Sequence, residues 1–99
     1  MSLNSQQKKQ LKELAHQRKP VVIVGKSGLS DSVLAEIDQA LTHHELIKVK
    51  LAGADREQRS TLVATIVTAT AAEEVQMIGN IVILYRAPAK GATVKIKLA

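Results

Sequence analysis

The stretch Val21-Val22-Ile23-Val24-Gly25-Lys26-Ser27-Gly28-Leu29-Ser30-Asp31 decides how this chain is built. Four β-branched residues in succession suit a short strand buried on both sides. Gly25 and Gly28 then break the run. Ser30 is a suitable helix N-cap, and Asp31 places negative charge in the first helical turn. Beyond it Val33, Leu34, Ile37, Ala40 and Leu41 mark one apolar face. The pattern is a strand, a glycine turn and a helix.

Working outward, Leu11, Leu14 and Ala15 recur at helical spacing among Gln, Lys and Glu, which predicts an amphipathic helix over residues 5–18, ended by Pro20. Downstream, Ile47, Val49 and Leu51 alternate with Lys48 and Lys50, as in a strand with one buried face. Gly53 stops that strand, and Asp55 is placed to cap a further helix from Arg56 to about Ala71. Leu62, Val63, Ile66 and Val67 share a side of it, although its Val, Ile and Thr content would also suit a strand. Val75 to Ile78 and Ile81 to Tyr85 flank Gly79-Asn80, a two-residue hairpin connection. Thr93 to Leu98 alternates once more and predicts a short edge strand guarded by lysines. The order α-β-α-β-α-β-β predicts an α+β fold, a two-layer α/β sandwich with a mixed sheet.

A chain of 99 residues fits one domain with one modest core. That core is aliphatic, because Tyr85 is the only aromatic residue. There is no cysteine, hence no disulfide and no thiolate metal site. The polar start does not read as a secretory signal, and no apolar run approaches the roughly 18 residues of a membrane span. A cytoplasmic protein without a membrane partner is expected. The net charge of +5 is unevenly spread. Residues 1–20 hold five basic residues against one acid, residues 86–99 hold four against none, and residues 21–85 hold five against eight. Basic ends favour a polyanionic partner, since each neutralised phosphate releases counterions. Solubility alone is the plainer account of the same charge.

The glycine turn is where a phosphate would enter. Glycines allow close backbone approach, the following helix offers its N-H groups and positive end, and Lys26 adds a cation. Gly25-Lys26-Ser27 matches the end of a nucleotide-binding P-loop, but Pro20 stands where that motif requires its first glycine. A G-x-x-G clamp on the backbone of a nucleic acid fits better, and the scarcity of aromatics argues against a base-stacking sheet. A glycine turn at a strand-to-helix corner can also be only a turn. His43-His44-Glu45 does not form a metal site, because adjacent histidines do not share a helical face and His16 has no spacing relation to them. Solvated histidines at a helix end suit the pattern. Glu73-Glu74 reads as a solvated pair before a strand, and Ser27 has no base to activate it. No enzyme, cofactor or small-molecule substrate is expected.

The sequence resembles the CRM family (chloroplast RNA splicing and ribosome maturation). The resemblance spans about residues 3–86. It rests on the helix leading to Lys19-Pro20, the loop Val24 to Leu29, the strand Leu46-Ile47-Lys48-Val49-Lys50-Leu51, and the ending from Val75-Gln76-Met77-Ile78-Gly79 to Leu84-Tyr85-Arg86. It implies a mixed four-stranded sheet with helices, similar to the C-terminal domain of a bacterial translation initiation factor. It also implies RNA binding through Gly25, Lys26, Ser27 and Gly28. Stand-alone bacterial members are similar in function to assembly factors that associate with rRNA in precursors of the large ribosomal subunit, and plant relatives act in splicing. Residues 87–99 form a tail outside that core.

The leading expectation is therefore an RNA-binding assembly factor. Its contacts would be the loop, with Lys8, Lys12, Arg18 and Lys19 on and after the first helix, and further cations at Lys48, Lys50, Arg56, Arg59 and Arg86. A protein-interaction adaptor docking its basic surface on acidic partners is the alternative.

Overall fold

The computed structural model describes residues 3–25 and 27–99, so Lys26 lies outside the described residues, as do Met1 and Ser2. Seven elements follow in order: α1 (Ser5–His16), β1 (Val22–Val24), α2 (Asp31–His44), β2 (Leu46–Leu51), α3 (Arg56–Thr70), β3 (Glu73–Ile78) and β4 (Ile81–Tyr85).

The helices begin where side chains can replace missing backbone partners. Asn4 and Gln7 form a reciprocal capping box on α1, with Gln7 N donating to Asn4 Oδ1 at 2.8 Å and Asn4 N to Gln7 Oε1 at 3.1 Å. Asp55 and Gln58 repeat the device on α3 at 2.8 and 2.9 Å. This box, with the spacing of buried Val63, Ile66 and Thr70, settles α3 as a helix despite its strand-like composition. Its threonine hydroxyls bond back one turn, as Thr70 Oγ1 does to Ile66 O at 2.7 Å.

The sheet has the order β1-β2-β4-β3. β1 pairs with β2 in parallel, and the other two pairings are antiparallel. The β3–β4 hairpin turns at Gly79, whose φ of 58° suits a tight connection. Both faces carry core. On one, α2 and α3 pack over Val22, Val24, Ile47, Val49, Leu51 and Leu84. On the other, α1 lays Leu11 and Ala15 over Leu46, Val75, Ile83 and Tyr85. A register shift between Glu74 and Gln76 brings Val75 under α1.

Three expectations need correction. β1 is buried on one side only: Ile23 is 61 % exposed, because α1 covers the far end of its face and does not reach the edge strand. Glu73 and Glu74 lie within β3, and Glu73 is half-buried, accepting a hydrogen bond from Leu3 N at 2.9 Å. The tail does not form an edge strand. Its inward residues do alternate, with Ile96 buried and Leu98 partly so, but Lys95 N and Ile96 N donate to the carboxylate of Glu45 at 2.8 and 3.0 Å instead of to a neighbouring strand. Gln7 and Gln10 then hold Lys97 and Ala99 alongside α1.

Tyr85 lies in this second core, and burial pushes its phenol above the usual value of 10.0, with the carboxylates of Glu45 and Glu73 pushing the same way. The neutral phenol is the form the fold favours. Its stabilising contribution is fully present below pH 10.0 and is lost as pH rises through the higher folded-state pKa. As the only tyrosine, it can be followed by ultraviolet absorbance. The expected titration midpoint lies above that of the urea-unfolded chain, and Glu45→Gln should lower it part of the way. Coincident folded and unfolded midpoints would contradict the packing around Tyr85.

Candidate nucleic-acid interface

After Val24 the chain reverses through the glycine turn, closed by Gly28 N donating to Gly25 O at 3.0 Å. Its two glycines differ in kind. Gly28 has a φ of 78°, a left-handed conformation that side chains resist, although a Cβ there would meet nothing within 4 Å. Gly25 is not in that conformation, and a Cβ on it would also meet nothing within 4 Å. The backbone therefore favours glycine at position 28, and the fold shows no internal reason for glycine at 25.

Parallel pairing brings the end of β2 beside this turn, with Ala52 N donating to Val24 O at 2.9 Å. The turn after β2 contains Gly53 at a φ of 74°, and it leads straight into α3. Between the two turns lies a groove of about 420 Å³, lined by Gly25, Gly28, Gly53, Glu57, Gln58 and neighbouring atoms. It opens at the carboxyl ends of adjacent parallel strands, the place where open α/β sheets receive ligands.

The N-terminal ends of α2 and α3 meet at this groove already partly satisfied. Ser30 Oγ accepts from Val33 N at 3.2 Å, and Asp55 Oδ1 takes Gln58 N. Asp31, Asp55 and Glu57 supply negative charge against both helix dipoles. An anion here must consequently be drawn by cations and by open backbone more than by the helix ends. Arg56 is exposed at the start of α3, and Arg59 donates from Nη1 to Ala54 O at 3.4 Å, bracing the second turn.

The other predicted cations are not gathered at this groove. Arg18 and Lys19 lie at the opposite end of β1, where Arg18 Nη1 donates to Leu46 O at 2.7 Å and Lys48 Nζ donates to Arg18 O at 3.0 Å. Lys8 and Lys12 lie on the flank of α1 away from the tail, since Gln7 and Gln10 occupy the tail side. Lys50 is exposed on the sheet face opposite α2 and α3. Arg86, counted in the sequence as a spare cation, is a structural clamp: Nη1 donates to Asp38 Oδ1 at 2.5 Å and Thr70 O at 2.9 Å, and Nη2 to Asp38 O and Thr42 Oγ1, both at 2.9 Å. Among the described residues no three His, Asp or Glu side chains converge in a metal-binding group, and no helix is long and apolar enough to cross a membrane.

The family model of the CRS1/YhbY (CRM) domain matches residues 3–86. The chain belongs to the CRM family. A Haemophilus influenzae protein named "RNA-binding protein" is 52 % identical over 95 residues, covering 96 % of this chain and 95 % of the relative. A Pseudomonas aeruginosa protein named as a probable RNA-binding protein is 46 % identical over 86 residues, covering 87 % and 83 %. The solution structure of a Staphylococcus aureus protein, described as a candidate RNA binder, superposes with a TM-score of 0.79 at 31 % identity, over 97 % of this chain and all of that one. The CRM fold thus accounts for the mixed sheet and the three helices.

Sequence reasoning used Gly53 only as a strand stop and did not place Glu57 or Gln58 beside the glycine turn. The missing signal is the parallel register, which spacing along the chain does not carry. For this CRM domain the two glycines make separable predictions. Gly28→Val should cost about 1–2 kcal/mol in urea denaturation, since a β-branched residue is forced into left-handed geometry. Gly25→Ala should leave stability within about 0.5 kcal/mol of the parent. Equal losses would show that the turn needs both glycines for folding.

Proposed function

We propose that this CRM protein binds RNA by its sugar-phosphate backbone at the glycine turn, and that it serves as an assembly factor on rRNA in precursors of the large ribosomal subunit. The observation that carries the first part is Gly25, a glycine with open space above it and no left-handed backbone to explain it. Such a position leaves room for a ligand's backbone to come closer than a side chain would allow. The names of the relatives support RNA as that ligand. The family resemblance supports the ribosomal target.

Recognition is by phosphate, sugar and shape. Tyr85, the one residue among Phe, Tyr and Trp, is buried, so the sheet offers no exposed Phe, Tyr or Trp on which bases could stack. Lys26 in the turn's sequence and the exposed Arg56 at the start of α3 supply the charge that the capped helix ends do not. Lys8, Lys12, Arg18 and Lys19 extend the positive surface to the sides.

Filter binding to pre-rRNA fragments across a salt series tests the clamp. Lys26→Ala should weaken binding and shallow the plot of log affinity against log salt by about 0.7–0.9, one phosphate contact's worth. Gly25→Ala should weaken binding with stability intact. Parental affinity and slope in both variants would overturn the clamp. Crosslinking in cells addresses the target: reads should concentrate on large-subunit pre-rRNA, and recovery of proteins without RNA would instead support a protein adaptor.

A further inference from the structure

A second groove, of about 410 Å³, lies at the end of β1 remote from the glycine turn. Its basic residues come from three separate parts of the chain. The α1–β1 linker brings Arg18 and Lys19, the last turn of α2 brings His43 and His44, and the tail brings Lys95. The remaining lining, which includes Val21 and Leu46, is apolar, and none of the lining residues is acidic.

The basic groups here are held by backbone carbonyls. Arg18 donates to Leu46 O at 2.7 Å, and Lys95 Nζ donates to His43 O. Among the described residues the one ion pair is Arg86 with Asp38, so neither Arg18 nor Lys95 is neutralised by a carboxylate. The nearest acid, Glu45, is buried beneath the tail and spends its two oxygens on Lys95 N and Ile96 N. The like charges of Arg18, Lys19 and Lys95 gathered in a concave site repel one another, and the negative end of α2 offsets only part of that. A polyanion would relieve the rest, and the planar fork of Arg18 suits phosphate oxygens.

We propose that this groove is a second binding site for RNA phosphodiesters, so that the strand held at the glycine turn continues along the edge strand β1 to the tail. The inference rests on the RNA-binding reading above. Val21 lines one groove and Gly25 the other, and four steps of extended chain separate them by roughly 13 Å, a span of a few nucleotides. Between them β1 turns its exposed Ile23 outward, with no charge to repel a phosphate chain. The tail thereby becomes part of the binding surface, through Lys95.

The test uses the full chain with Lys95→Gln, which keeps the backbone N–H that Glu45 holds, and the pair His43→Gln/His44→Gln, both residues being exposed. Folding is checked by circular dichroism. On single-stranded RNA of about 12 nucleotides, the triple variant should lose affinity on the order of fivefold to tenfold at low salt, with a shallower salt slope. On a dinucleotide the loss should be smaller, because that ligand cannot bridge both grooves and can still be held at the glycine turn. Parental affinity of the folded triple variant for the longer RNA would overturn the proposal. So would a groove that takes inorganic phosphate, followed by histidine NMR shifts, while the longer RNA leaves those shifts unmoved. Gly25→Ala run in parallel separates the two readings. If it weakens binding and the triple variant does not, the second groove falls and the clamp stands; if the reverse holds, the clamp falls and the groove stands.

Discussion

The parallel pairing of β1 with β2 is the constraint on which the remaining structure depends. Val22, Ile23 and Val24 face Val49, Lys50 and Leu51 in register. Parallel neighbours cannot be joined by a tight turn, so the chain must cross back through α2 before β2 begins. Both strands then end at the same edge of the sheet, and the turns that follow them, at Gly25–Gly28 and at Gly53, face each other across one groove. A slip of one residue would turn Val22 and Val24 to solvent and Ile23 into the core, so the packing of α2 and α3 on one face holds the register and, with it, the groove.

Much of this was legible in the sequence where a local rule and a tertiary requirement agree. β2 alternates because Ile47, Val49 and Leu51 face α2 and α3, while Lys48 and Lys50 follow the buried Leu46 on the other face. The hairpin is announced by Gly79-Asn80, and α2 and α3 by Ser30 and Asp55. The misreadings have a common cause, which is that a periodic pattern does not name its partner. Val21 to Val24 is equally apolar whether helices cover both faces of the strand or one. Thr93 to Leu98 has the burial alternation of a strand, with Ile96 buried, yet its backbone donors meet a carboxylate fifty residues away in the chain. Arg86 looks like a free cation until Asp38, Thr42 and the end of α3 are brought around it.

The same limit applies to the site. Gly25 and Gly28 are visible as a turn, and the spacing alone leaves them equivalent. Their difference appears only once the backbone is known, since one glycine is needed for its φ and the other is not. The charges behave likewise. Capping made the helix starts legible, but the same Ser30, Asp31, Asp55 and Glu57 answer much of the positive potential that a bare helix end would offer. Cations near the turn therefore matter more to an anion than the helix ends do.

Glu45 shows why the tail belongs to the fold. α2 and β2 are joined by this one residue, and the sharp change of direction forces its φ to 63°. For a residue with a side chain that geometry costs about 1–2 kcal/mol, and glycine would avoid it. A carboxylate buried to 1 % exposure is costly as well unless its oxygens are bonded. Both burdens are offset by one arrangement, in which the backbone carbonyl of Glu45 accepts from Arg86 N at 2.9 Å and its carboxylate accepts from Lys95 N and Ile96 N. Remove the tail and the Glu45 carboxylate loses both donors and its cover, at an already strained position. The tail, although it lies beyond the family match at residues 3–86, is thus held by the core and completes it. The contact that pins it also fixes where Lys95 stands, so that the pair of hydrogen bonds that offsets the cost of the α2–β2 corner also places a cation in the basic groove beside it.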